Sequence, residues 1–118
     1  MAGLFDKVEF VHGPAIANRL TLAPLTNMQS NPDGSLGDAE LHWLEMRAGG
    51  GFGITSTCAM HVQPSGQGFA GQLGCFSDDL LPGLTRLADA VKGKGTVTIA
   101  QLHHGGSRSD SSLIGGQP

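Results

Sequence analysis

Residues 96–106 read TVTIAQLHHGG, an apolar, β-branched run that gives way to a glutamine, two histidines and two glycines. Such a run, preceded by KGKG and closed by glycine, predicts a buried strand of the parallel type over TVTIAQL. Upstream of it Leu80, Leu84, Leu87 and Val91 recur at helical spacing, and KGKG ends that helix. FGITSTCAM, residues 52–60, reads as a second strand. Before it, DAELHWLEMRA, residues 38–48, sets Leu41, Leu44 and Ala48 on one helical face with Glu40 and Arg47 elsewhere; Asp38 is the expected N-cap and GGG the stop. The segment LFDKVEFVHGPAIANRLTLA turns at HGP, which predicts a short β-hairpin followed by a strand over Arg19 to Ala23 that Pro24 ends. The order is therefore hairpin, β, α, β, α, β. Strands alternating with helices imply right-handed crossovers, a parallel sheet, and chemistry gathered at the C-terminal ends of the strands.

The chain's 118 residues suit one domain, 1–118, with enough apolar content to bury a core. Seven basic against ten acidic side chains leave a formal charge of −3, so no basic field is present to hold nucleic acid or an anionic membrane. Asp6, Lys7 and Glu9 interrupt any signal-peptide core, and no segment reaches membrane-spanning length. Two cysteines, Cys58 and Cys75, without a CxxC pair predict a reduced, cytoplasmic setting.

Two apparent motifs fail on context. GQGFAG, Gly66 to Gly71, fits the dinucleotide pattern GxGxxG, but no strand runs into it and no helix starts on it, so no row of amides would face a pyrophosphate. His103 and His104 are adjacent on a strand and point to opposite faces, so they cannot chelate one ion, and no metal is expected. What remains is a pattern shared by three strand ends. LAPLT, TSTC and QLHH each place small or polar residues where an apolar strand finishes. In a parallel α/β barrel those ends meet at one rim, where Thr26, Thr57 and Gln101 can address one planar ligand with a polar edge.

The residues that carry this pattern also carry a family resemblance. LFDKVEF…IANRLTLAPLT, RAGGGFGITSTCAM and CFSDDLLPGLTRLADAVKGKGTVTIAQLHHGG resemble, in order and over nearly the whole chain, the opening of the Old Yellow Enzyme family of flavin-dependent ene-reductases. The resemblance implies the N-terminal part of a (β/α)8 barrel: a hairpin cap, the first three strands and two helices. It implies FMN and NAD(P)H as cofactors, with hydride passing through flavin N5 to the β-carbon of an activated alkene. Ala23, Pro24, Leu25 and Thr26 match the segment that lies along the flavin, the Thr26 hydroxyl bonding ring O4 and tuning the potential. Thr57 matches a residue whose backbone meets the same edge, and Gln101 the glutamine that bonds the pyrimidine part of the ring. His103 matches a position lining the substrate pocket, and His104 a packed, hydrogen-bonded residue behind it.

The chain also departs from the family pattern. Ser107 stands where QLxHxGR has its arginine, Asn27 stands where arginine is frequent, and there is no tyrosine to serve as proton donor. No residue of this chain is therefore assigned as catalytic. A whole barrel takes about 250 residues, so the expectation is a segment completed by another chain that carries the remaining strands. The alternative is a standalone α/β interaction module that keeps flavin-site residues without catalysis.

Overall fold

The computed structural model describes residues 2–116. Its centre is a three-stranded parallel sheet in the order β1 (Thr21–Leu22), β2 (Ile54–His61), β3 (Val97–His103), crossed by α1 (Asp38–Gly49) and α2 (Leu81–Lys92). Both helices lie on one face of the sheet. There Leu41, Leu44 and Ala48 of α1 and Leu87 and Val91 of α2 pack with Leu22, Met60 and Leu73 in one core. This is the βαβαβ order that the alternation of periods predicts, and the sheet is parallel throughout.

The hairpin is present but reduced to one bridge, in which Val8 and Ile16 exchange N–H···O bonds of 2.9 and 2.8 Å. Asn18 then fixes where the cap hands over to the sheet. Its amide donates to Gly51 O at 2.8 Å, and its Oδ1 accepts the N–H groups of Leu20 and Gly53, each at 3.0 Å. A Cβ at Gly53 would stand 2.5 Å from Asn18 O, so only glycine admits this approach.

Four expectations need correction. The first strand covers only Thr21–Leu22 rather than Arg19 to Ala23, since its ladder to β2 holds two residue pairs, Thr21 with Ile54 and Leu22 with Thr55. The N-cap of α1 is Gly37, not Asp38. The chain passes so close there that a Cβ on residue 37 would lie 2.1 Å from Gln29 O, and Asp38, now the first helical residue, turns out to pair with Arg86 of α2. Glu40, expected off the apolar face, is wholly buried, and β3, expected to be buried, exposes Ile99, Ala100, Gln101 and Leu102 because no strand follows it on its far edge among the described residues.

The ladder between β2 and β3 contains one irregularity. Ser56 pairs with Ile99 and Ala59 with Gln101, so Thr57 and Cys58 together oppose Ala100 in a β-bulge. Beyond it the pairing resumes, with Met60 opposite Leu102 and His61 opposite His103.

Candidate functional site

Alternation along β3 sorts its side chains. Thr98 and Ala100 face α2, lining a groove with Leu84, Leu87 and Thr57. Ile99, Gln101 and His103 consequently occupy the opposite face, the one a closed barrel turns inward. The Gln101 side chain is exposed and makes no hydrogen bond among the described residues, so its donor and acceptor are both available. Opposite Gln101 in register is Ala59, itself buried, whose small side chain puts no bulk on that face.

The bulge decides what Thr57 does. Its hydroxyl donates to Cys58 O at 2.9 Å and accepts the Gln101 N–H at 3.1 Å, which ties the ends of β2 and β3 together. Thr57 is therefore at the level expected of a site residue, but its side chain serves the sheet and lines the helix-side groove. Ala59 is the residue that sequence reasoning missed. Strict alternation from Ile54 gives no sign of a bulge, and only the register with β3 reveals the change of parity.

The end of β1 reaches the same place by another route. After Leu22 the chain runs through Ala23, Pro24, Leu25 and Thr26; Ala23, Leu25 and Thr26 are exposed and Pro24 half-buried. The Leu25 N–H lies against the Cys58 sulfur in the bulge. Thr26 and Gln101 are thus both within one residue of groups that contact the bulge, Leu25 at Cys58 and the Gln101 N–H at Thr57. Met28, further along, has a left-handed φ of 53°, which a side-chain-bearing residue adopts only under constraint. The constraint is Gly71, whose Cα approaches so closely that a Cβ there would lie 2.7 Å from Met28 O.

The histidines divide by their partners. Gln72, buried in the loop after β2, accepts Gly68 N–H through Oε1 at 2.8 Å and donates through Nε2 to Ala59 O at 3.1 Å. That orientation makes the contact from Gln72 Nε2 to His103 Nδ1, 3.2 Å, one in which His103 accepts, so the neutral His103 ring carries its proton on Nε2. His61 is nearly inaccessible to solvent, and its Nδ1 faces Leu73 O at 3.0 Å, so there the proton is on Nδ1. Burial holds the His61 pKa below the ordinary histidine value, with nearby His103 acting in the same direction. His61 also lines a cleft of about 550 Å3 with Asp33, Gln67 and Phe76. His104 is hydrogen-bonded, as expected, its Nδ1 accepting Gly106 N–H at 3.0 Å and its Nε2 facing Gln63 Oε1 at 3.3 Å, but it is exposed rather than packed. Among the described residues no three His, Cys, Asp or Glu side chains gather to hold a metal. GQGFAG begins at the end of a short 3-10 turn, Pro64–Gly66, and opens no helix.

The sequence profile of the NADH:flavin oxidoreductase / NADH oxidase family matches residues 4–115. The chain belongs to that family. Among its relatives is a probable NADH-dependent flavin oxidoreductase, YqiG, of Bacillus subtilis strain 168, 37% identical over 111 residues, which are 94% of this chain and 30% of that protein. The NADH:acrylate oxidoreductase of Vibrio harveyi is 35% identical over 98% of this chain and 12% of its own length. The Old Yellow Enzyme homologue of Zymomonas mobilis superposes with a TM-score of 0.90 at 27% identity, over 99% of this chain and 32% of that one. The chain thus spans about a third or less of the family members it matches. Its sheet and helices are a part of the Old Yellow Enzyme barrel, and the face bearing Gln101 is the barrel's inner face. No helix among the described residues is long and apolar enough to cross a membrane.

Proposed function

We propose that this chain supplies the first part of an FMN site in an ene-reductase, completed by polypeptide that carries the remaining strands of the barrel. The observation that carries the reading is the shared junction at the bulge. It brings the Leu25–Thr26 segment and the open carboxamide of Gln101 to one end of the sheet, with the small Ala59 between them. A planar heterocycle with a polar edge fits such a surface: exposed hydroxyl on one side, free amide on the other, and no bulky side chain at the centre.

Bound there, FMN would supply the redox chemistry between NAD(P)H and an activated alkene. This chain's own residues bind and orient it. Thr26 donates a hydrogen bond to a ring oxygen, and Gln101 offers both donor and acceptor to the pyrimidine edge. Ala23, Pro24 and Leu25 give the ring an apolar support, and Thr57 acts through the backbone geometry that its hydroxyl fixes. His103, held by Gln72 with its Nε2 proton directed away from that bond, shapes the adjoining substrate cavity. The free thiols of Cys58 and Cys75 support a cytoplasmic setting.

Refolding the chain with a polypeptide carrying the rest of a matching barrel should yield a yellow complex with quenched flavin fluorescence. Thr26→Ala and Gln101→Ala should each weaken flavin binding about fivefold, the worth of a single net hydrogen bond. A folded complex that excludes flavin, or variants that bind it as well as the parent, would overturn the reading in favour of an interaction module.

A further inference from the structure

Glu40 has no place in the site just described, yet it is a carboxyl with no solvent exposure in the first turn of α1. Its Oε2 accepts the Ser30 hydroxyl at 2.5 Å, while Oε1 has no partner of hydrogen-bonding geometry. The Cys58 thiol stands beside the carboxyl, near enough for each group to alter the other's proton affinity. Ser30 is held in turn by the Gly37 N–H on its Oγ, 3.3 Å, and by its own N–H on Gly71 O, 3.0 Å. The Leu25 N–H lies against the Cys58 sulfur.

These contacts bracket one segment. Ser30 ends it and Leu25 begins it, and Thr26 lies between. We propose that Glu40 is the positioning residue of this segment: from behind the sheet its carboxyl holds Ser30 directly and Leu25 through Cys58, and so sets where the Thr26 hydroxyl stands. The relevance to flavin rests on the reading above; the positional coupling does not.

Protonation then becomes a control on that geometry. Burial raises the Glu40 pKa from its ordinary 4.5, against smaller opposing effects from Ser30 and Cys58, and no lysine, arginine or histidine among the described residues bears on it. Burial and the same carboxyl push the Cys58 thiol up to about 12, so it stays protonated across the working range. The group that changes charge is therefore Glu40. Because its pKa is higher in the folded chain, the stability it contributes is complete below 4.5 and is lost as pH rises through the raised value. The ionised form keeps the Ser30 bond and draws harder on the Cys58 thiol, the two contacts that oppose the cost of burial, so its charge tightens the Cys58 side of the bracket.

The test is an amide NMR titration of the full chain with Glu40→Gln and Glu40→Ala beside it. In the parent, the Leu25, Thr26 and Ser30 amides should move together with the Glu40 carboxyl carbon, at a midpoint above the usual carboxylate range. In Glu40→Gln, a neutral isostere, they should be flat with pH and match the low-pH parent. Leu25 and Thr26 amides indifferent to the Glu40 titration, or an unchanged titration in Glu40→Gln, would overturn the proposal without recourse to flavin. In the reconstituted barrel Glu40→Ala should weaken flavin binding about tenfold while Glu40→Gln stays within about threefold. A barrel that binds no flavin refutes the proposed function and leaves the titration to decide Glu40.

Discussion

Gln72 is almost wholly shut off from solvent, and its amide meets three partners at once: Gly68 N–H, Ala59 O and the His103 ring. It clamps the long loop after β2 onto the two strand ends that carry the site. Gln72→Met keeps the volume and strands a half-buried N–H and a buried carbonyl, so it should cost roughly 2 kcal/mol in urea unfolding and release the His103 ring. A loss under about 0.5 kcal/mol would mean that water replaces the clamp. Nothing in GQGFAGQLG announces this role, because the loop has no period and the partners of Gln72 lie 13 and 31 residues away. The same blindness hid Glu40. A carboxyl in an amphipathic helix is expected in water, and its burial depends on a serine contributed by the preceding loop. The ends of β1 and β3, where Thr26 and Gln101 stand, were legible for the opposite reason, since each apolar run is closed locally by proline or glycine.

The helices were legible from spacing, because Leu41, Leu44 and Ala48, and Leu87 and Val91, are buried where the 3.6-residue period puts them. Their boundaries were set instead by close approach of other segments. Gly37 and Gly49 stand at opposite ends of α1 and should respond oppositely to the same change. At Gly37 the added methyl meets the Gln29 carbonyl, so Gly37→Ala should destabilise by about 2–3 kcal/mol despite an ordinary backbone conformation. At Gly49 nothing lies within 4 Å of a new Cβ, and Gly49→Ala should stabilise by about 0.5–1 kcal/mol through helix propensity. Thermal melts of the two variants decide it, and equal effects would show that propensity rather than contact governs both ends. The β2 bulge belongs to this scale too: two residues opposing one is a property of a pair of strands, which neither strand's sequence states alone.

At the level of the whole molecule, the element order and the parallel sheet followed from alternating periods, while the open inner face followed from the short length relative to a barrel. Parallel sheets are ordinarily covered on both faces. Here the helices cover one, and of the β3 side chains Ile99, on the other face, and Leu102, at the open edge of the helix side, remain about half and two-thirds exposed, 46% and 66%, on a strand paired along one edge among the described residues. Such an edge offers unpaired backbone groups beside apolar side chains, which is a template for adding another strand. The chain on its own should therefore associate with rising concentration in sedimentation velocity. Ile99→Lys with Leu102→Lys should shift it toward monomer, because a charge is easily carried in water but not against an added strand. Since neither side chain is in the core, the double variant should change unfolding free energy by less than about 1 kcal/mol. It should also block assembly with the polypeptide that completes the barrel, because strand addition at β3 is the step that closes the inner face over Gln101. Monomeric sedimentation of the parent chain at high concentration, or assembly of the lysine variant as efficient as the parent's, would show that the edge is already protected by the twist of the sheet and the loop after β3.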